Sequence, residues 1–408
     1  MEENLWDSKT KYYILPNGKY DADELTDTGM CVTVILYFYY IESVDHYIGY
    51  IQNIPSFFKI EIYSPKSEIL DKLKVFFTSK GNIHYHLKKN KGRDISTLLV
   101  AAKDLVINSD YVCFVHDKSM NAEYLKEDTD RWIDNLWGNM LSNAYYISHI
   151  ITLFEREKDL GVLFPPSPIG EYLFHWYGDT WLDNYDNTCQ LAKELDLSTE
   201  IRKEEMPVGM GTVFWARGKA LEKLYSFDWN YEVFPEEPLV ADGTLNHAVE
   251  RVIEFVARDM GYRCACILTG DYASWLLSKT QEYARVMFLQ LQKRENVFNI
   301  NQIKNLDRRE KELTEYVKNH EKNYVYGAGN YGRALYEFLK KRDIIIDGFL
   351  VTESGKTRRM FCGVPVKEIE DMVSERNVGI IIGVSYETRS VIEKQLKQNG
   401  FHEYIYGF

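Results

Sequence analysis

The chain is poor in the features that would tie it to a disulfide scaffold, a membrane span or a polyanion. Only six cysteines occur in 408 residues (Cys31, Cys113, Cys189, Cys264, Cys266 and Cys362), and none forms a C-x-x-C pair. That scatter excludes a disulfide framework and fits a reducing compartment. Cys264 and Cys266 alternate along an apolar run and read as buried strand positions. Basic charge is in short supply: 49 Lys+Arg stand against 61 Asp+Glu, a net charge of −12. General nucleic-acid binding needs a basic footprint, so no nucleic-acid partner is expected. The longest apolar run, 31–41, has about half of the roughly 20 residues of a membrane helix. The amino terminus, Met-Glu-Glu-Asn, has no basic segment leading into an apolar one, so no secretory signal is expected. These absences predict a cytoplasmic protein, or one peripheral to the inner face of the plasma membrane. No internal repeat or low-complexity tract interrupts the chain.

What remains is an ordinary globular composition, 45% hydrophobic and 27% charged. The apolar fraction excludes whole-chain disorder. Aromatics reach 14%, with 30 Tyr and 8 Trp. Such faces line sugar sites, though an aromatic core is their commoner use. Residues 1–30 read as a loose lead-in. Strands are then predicted at CVTVILYFYYI (31–41), FFKIEIYSP (57–65), NIHYHLKKN (82–90) and DYVCFVHDKS (110–119). Helical spacing separates them at KSEILDKLKVFFTSKG (66–81) and ISTLLVAAKDLVINS (95–109). This alternation indicates an α/β domain with a mainly parallel sheet. Further strands are expected at Gly161–Phe164, in MGTVFWAR and in DMGYRCACIL. A helix follows the acidic loop FPEEPLVADG, capped by Asp242 or Thr244. Residues 279–322 are charged and helical and read as a connector. From 323 to 408 the pattern is strand, glycine turn, helix, strand, then strand, helix and a terminal strand.

Gly327-x-Gly329-x-x-Gly332 follows a predicted strand and opens a helix, as in a Rossmann-like unit. The first glycine allows the tight turn, the second the approach of a phosphate, and the third close helix–strand packing. An acidic partner for a ribose falls at Asp347 by count, or at Glu353 by its place at a strand end. In the larger domain, ligand sites belong at the carboxyl ends of the strands. Polar clusters stand there at Ser64-Pro65-Lys66, at Asn90-Lys91-Gly92-Arg93-Asp94 and at His116-Asp117-Lys118-Ser119.

From about residue 90 to 275, a series of blocks runs in one order: NKGRDISTLL, the strand ending in HDKS, LGVLFPPSPIGEY, the WLDNY segment, GTVFWAR and EEPLVADGTLNHAVER. Together they resemble the rhamnan synthesis protein F family of glycosyltransferases. The resemblance implies a GT-A-like glycosyltransferase domain over 1–278; the charge pattern and the glycine turn add the helical connector and a small Rossmann-like domain over 323–408. It also implies transfer of a deoxyhexose, typically L-rhamnose from dTDP-L-rhamnose, onto a lipid-linked glycan of a bacterial cell-surface polysaccharide. The chain departs from the family at Lys118-Ser119-Met120 and at Ile169-Gly170-Glu171, which bears on the sugar more than on the reaction.

The residues fit the same class. A nucleotide-sugar donor carries a diphosphate whose charge must be neutralised. Asn90, Gly92, Arg93, Asp94, His116 and Lys118 are the expected donor-binding set. Asp117 with His116 can hold Mg²⁺ or Mn²⁺; alternatively Lys118, helped by Arg93, neutralises the diphosphate directly. His247 is a second candidate metal ligand, three residues before Glu250. An inverting transfer needs a carboxylate base, and Glu237 is expected first, then Asp242 and Glu236. Tyr172, Trp176, Trp181 and Trp215 are candidate sugar platforms. Other readings are a UDP-hexose donor on the same fold, a dinucleotide-dependent oxidoreductase or methyltransferase, and a non-catalytic nucleotide-sugar-binding subunit. A homodimer through the small sheet's edge is a further expectation.

Overall fold

The structure, a computed structural model, describes residues 11–18, 29–78, 80–119, 132–167, 180–237, 239, 242–295, 303, 306–352, 360–375, 377–385 and 388–407. The chain divides into two compact units, Met1–Ser278 and Lys279–Phe408, the division falling within the helix Gly270–Glu295. Among the described residues no helix is long and apolar enough to cross a membrane.

The first unit is built on an eight-stranded sheet. Its strands are β1 (Lys11–Leu15), β2 (Val32–Tyr37), β3 (Lys59–Ser64), β4 (Ile83–Leu87), β5 (Tyr111–His116), β6 (Leu160–Phe164), β7 (Phe214–Arg217) and β8 (Arg263–Thr269), in the order β1-β8-β6-β7-β5-β2-β3-β4. All pair in parallel except β7, which runs antiparallel to both β5 and β6. This is the mixed α/β class expected from the alternating pattern. β2, β5 and β6 are buried along their whole length. Their runs of Val, Ile, Leu and Phe suit strands covered on both faces.

Successive residues of β2 feed opposite cores. Val32, Val34 and Leu36 pack with the helices Val44–Gln52, Ser67–Phe76 and Ala144–Arg156. Ile35 and Tyr37 pack on the other side, with the helix Leu245–Asp259 and the segment 95–106. Two expectations need correction. The supposed lead-in contains β1, which lies at the sheet edge beside β8; five residues alone carry too little period-two signal to be read as a strand. The single helix expected over 95–109 is broken into Arg93–Ser96, a wide π-helical turn Thr97–Ala101, and Lys103–Ile107. All six cysteines are free, and burial pushes the thiols of Cys113, Cys264 and Cys266 up.

The second unit carries β9 (Lys322–Tyr326), β10 (Gly348–Val351), β11 (Met360–Phe361), β12 (Val364–Glu368), β13 (Val378–Ile382) and β14 (Ile405–Tyr406), in the order β11-β12-β10-β9-β13-β14. All pair in parallel except the hairpin of β11 and β12. The helices Asn330–Lys340 and Arg389–Gln398 each connect parallel strands. The strand order reverses between β9 and β13, the position at which doubly wound sheets open a crevice.

Candidate functional site

β5 ends in His116, and the polypeptide turns immediately through Asp117 and Lys118. His116 and Asp117 are buried and Lys118 is half-buried, and the three serve different ends. Asp117 folds its carboxylate back onto the end of β2. Oδ2 accepts the backbone N–H groups of Tyr39 at 2.9 Å and Tyr40 at 2.7 Å, with the Ser43 hydroxyl at 3.3 Å; Oδ1 shares the Tyr39 N–H at 3.0 Å. Burial pushes its pKa up to about 7 against these donors. His116 sits between two carbonyls, Nδ1 2.9 Å from the oxygen of Asp117 and Nε2 2.6 Å from that of Gly211. Burial lowers its pKa, opposed by Asp94, whose Oδ2 is 3.7 Å from Nε2. Lys118 stretches its ammonium 4.4 Å over the Trp132 ring. Burial lowers its pKa, while Glu250, Asp94 and Asp117 pull the other way.

The loop after β4 is drawn into a tight turn. Lys88 is buried and donates to the carbonyls of Arg93 at 2.9 Å and Lys91 at 3.4 Å. Burial depresses its pKa to about 8. Gly92 has φ +72°, and a Cβ there would lie 2.6 Å from Cγ of Phe234 and 2.7 Å from Cβ of Ser96. Glycine is therefore required by both backbone and packing. Its carbonyl accepts from the Asn246 amide. Gly92 thus shapes the turn and presents no side chain of its own. Arg93 follows with φ 50°, unusual for a residue with a side chain. Asn90 is exposed on the same loop.

The acidic loop before the helix Leu245–Asp259 comes to meet this turn. Arg93 grips Glu237 with both ends of its guanidinium, Nε and NH2 each 2.8 Å from a carboxylate oxygen. That grip holds the Glu237 carboxyl below its usual range, with burial opposing. Lys91 bonds Glu236 at 2.6 Å, and the Glu236 side chain is 84% exposed. Asp242 accepts from the Asp183 N–H at 3.0 Å and the Asn184 amide at 2.7 Å, tying down the segment that follows Trp181. Of the two expected caps, Thr244 takes the position. Its partner in the reciprocal bonding is His247, whose Nδ1 is 3.3 Å from the Thr244 N–H and 2.9 Å from Oγ1.

Sequence reasoning missed part of this assembly. Glu250 accepts from Thr212 Oγ1 at 3.2 Å and pairs with Arg251. Burial pushes its pKa up, but Arg251, the Gly211 N–H and Lys118 together hold it down. Lys88 and Tyr37 were also missed. Lys88 continues the period-two face of His84 and His86, both bonded to Glu61 at 3.1 and 2.6 Å, and that parity was its only signal. Trp181 and Trp215 are buried in the core. Tyr172, Trp176, Met120 and the Ile169–Glu171 segment lie outside the described residues.

The structure thus gathers Arg93, Asp94, His116, Lys118, Glu237, His247 and Glu250 at one end of the sheet, with Arg93 acting electrostatically on Lys118, His247 and Tyr40. The donors expected for Mg²⁺ or Mn²⁺ are committed elsewhere: Asp117 to the β2 turn, both His116 nitrogens to carbonyls, and His247 Nδ1 to the helix start. Among the described residues, no group of three or more His, Cys, Asp or Glu is arranged to hold a metal ion. These side chains do not fit a divalent cation in this arrangement.

In the second unit the glycine turn has the expected local form. A Cβ on Gly332 would sit 1.7 Å from the Gly327 carbonyl oxygen, whereas one on Gly329 would meet nothing within 4 Å. Asp347 bonds back to the Asn323 N–H at 2.7 Å. Glu353 lies outside the described residues.

The family model described as "Rhamnan synthesis protein F" matches residues 5–262. Two curated relatives are each described as "Uncharacterized protein WxcX", from Xanthomonas campestris pv. campestris strains B100 and ATCC 33913. Each is 24% identical over 255 residues, covering 60% of this chain and 34% of the relative. The chain spans about a third of the length of those relatives.

Proposed function

The chain belongs to the rhamnan synthesis protein F family, and we propose that its first unit is a glycosyltransferase that moves a deoxyhexosyl group, L-rhamnosyl from dTDP-L-rhamnose, onto a hydroxyl of a lipid-linked glycan. The observation that supports this is the meeting of Arg93 with Glu237 within electrostatic reach of the half-buried Lys118. Two cations and a carboxylate are what an inverting transfer uses. The acceptor oxygen attacks the anomeric carbon. The bond from that carbon to the diphosphate oxygen breaks, and its electron pair leaves with the nucleoside diphosphate. The hydroxyl proton passes to Glu237. Lys118 and Arg93 neutralise the leaving charge as positive groups facing the diphosphate.

The Arg93–Glu237 pair supplies an order of events. Their side chains are 48% and 37% exposed, and exposed pairs are worth about 0–1 kcal/mol. An arriving diphosphate therefore draws Arg93 away at little cost and releases the carboxylate to act as base. Radiolabelled dTDP-L-rhamnose with a lipid-linked acceptor tests the reading, and label is expected in the lipid fraction. Transfer from a UDP-hexose instead would keep the reaction and change the sugar. No transfer from any dTDP- or UDP-sugar would overturn it. Glu237→Ala separates an enzyme from a binding subunit: an enzyme loses most of its turnover, whereas a binding subunit keeps its function.

A further inference from the structure

Folding leaves a buried hydroxyl unsatisfied at the end of β2, beside His116 of this site. Tyr37 closes β2, in register with Tyr63 on one side and His116 on the other. It is 3% exposed, and its hydroxyl has no hydrogen-bond partner among the described residues. A buried hydroxyl without a partner costs about 1–3 kcal/mol. Such groups in native proteins call for an explanation. The nearby polar side chains are satisfied: Ser96 by the carbonyls of Lys91 and Arg93, Lys88 by the same two carbonyls, and Asp117 by the β2 turn. Asp94 lies beside them: its side chain is 16% exposed, its Oδ2 is 3.7 Å from His116 Nε2, and its charge also acts on Lys88, Arg93 and Lys118. Asp94 is also the charge that acts most strongly on Tyr37. Because Arg93 takes the strained turn and aims at Glu237, the next side chain along faces a different group.

We propose that Tyr37 and Asp94 form a subsite for sugar hydroxyls, in which the phenol donates to one ligand oxygen and the carboxylate accepts from a ligand O–H. The two lie within electrostatic reach yet are not bonded to each other, which suits a group bridging them. A hydroxyl accepts from the phenol and donates to the carboxylate. A phosphate oxygen cannot donate and is repelled by Asp94. The pair therefore selects a polyol over an anion, while Arg93 and Lys118 meet the anion. The inference rests on the glycosyltransferase reading for the identity of the polyol as the donor's glycosyl group.

Equilibrium binding to the full chain tests it, with dTDP-L-rhamnose and dTDP as probes and Tyr37→Phe and Asp94→Asn as variants. A net hydrogen bond corresponds to roughly two- to tenfold in affinity, and one to a charged group to tenfold or more. Tyr37→Phe is expected to weaken dTDP-L-rhamnose within the first range and Asp94→Asn within the second, with dTDP changed less than twofold. The melting temperature of Tyr37→Phe should hold or rise, because an unpaired buried group has been removed; a hydroxyl with a structural role would lower it. Equal binding of dTDP-L-rhamnose by wild type and both variants overturns the subsite, as does equal weakening of dTDP and its sugar. Failure of the wild type to bind any dTDP- or UDP-sugar overturns instead the glycosyltransferase reading beneath it.

Discussion

Individual residues in this protein carry out tasks that their chemical type alone does not disclose. Glu254 lies on the helix Leu245–Asp259, accepts the Val208 N–H at 2.8 Å and sits 4.0 Å from Arg258. Burial nevertheless raises its pKa to about 7, with Glu205 adding to the rise. A carboxyl raised in the folded state favours folding below its unfolded value, near 4.5, and that advantage is lost as pH climbs through the folded value. Between about pH 4.5 and 7 the wild type should therefore lose stability through this group. Glu254→Gln keeps an acceptor for Val208 and cannot ionise. Its melting temperature is expected to exceed that of the wild type at pH 8 and to match it at pH 5. A constant difference at both values would refute the assignment. Asp117 behaves alike in direction but has a mechanical task, holding the turn after β2. Asp117→Ala leaves the Tyr39 and Tyr40 N–H groups without their acceptor and should cost about 2 kcal/mol or more, read by denaturant unfolding.

At the scale of elements, the site depends on two loops that meet. The turn after β4 and the loop before the helix Leu245–Asp259 touch through Gly92 and Phe234 and are linked by Arg93 and Glu237. Gly92→Ala forces a side chain into a left-handed backbone and against the Phe234 ring. It is expected to destabilise by about 1–3 kcal/mol and to lower turnover further by displacing Arg93. Normal turnover in a destabilised variant would show that the turn does not position Arg93. Arg93→Met removes the group that holds the Glu237 carboxyl down. The acid limb of the pH–rate profile should then move to higher pH, by a fraction of a unit because the pair is half exposed. An unmoved limb would assign the titrating base to another residue. The turns themselves were visible in the sequence as clusters of glycine and charge at strand ends. Their meeting was not, because Arg93 and Glu237 stand 144 positions apart.

At the scale of the whole molecule, each unit has its own apolar interior. The first buries both faces of its large sheet, and the second packs separate groups around Tyr324 and Ile380 and around Val325 and Leu335. A substitution in one interior should therefore be felt mainly there. Gly332→Ala places a methyl group against the Gly327 carbonyl and should unfold or strongly destabilise the second unit. Calorimetry is expected to show one transition shifted down and another left in place. A single transition moving as a whole would mean that the units melt together.

The sequence by itself determined most of the strands and helices, though not β1 or the β11–β12 hairpin. Continuous runs of Val, Ile, Leu and Phe, bounded by glycine and charge, leave few other ways to bury their side chains. It also determined the glycine turn at Gly327–Gly332, since spacing within six residues is a local property. Tertiary structure alone decided which charges are spent on one another. Asp117 was free to face a ligand until the β2 turn supplied two backbone N–H groups. His247 was free to bind a metal until Thr244 took its Nδ1. Tyr37 and Asp94, 57 positions apart in the chain, came together only through sheet register and loop packing. Hydrophobic periodicity reports what each segment buries, whereas polar partnerships across the sheet depend on where distant segments stop.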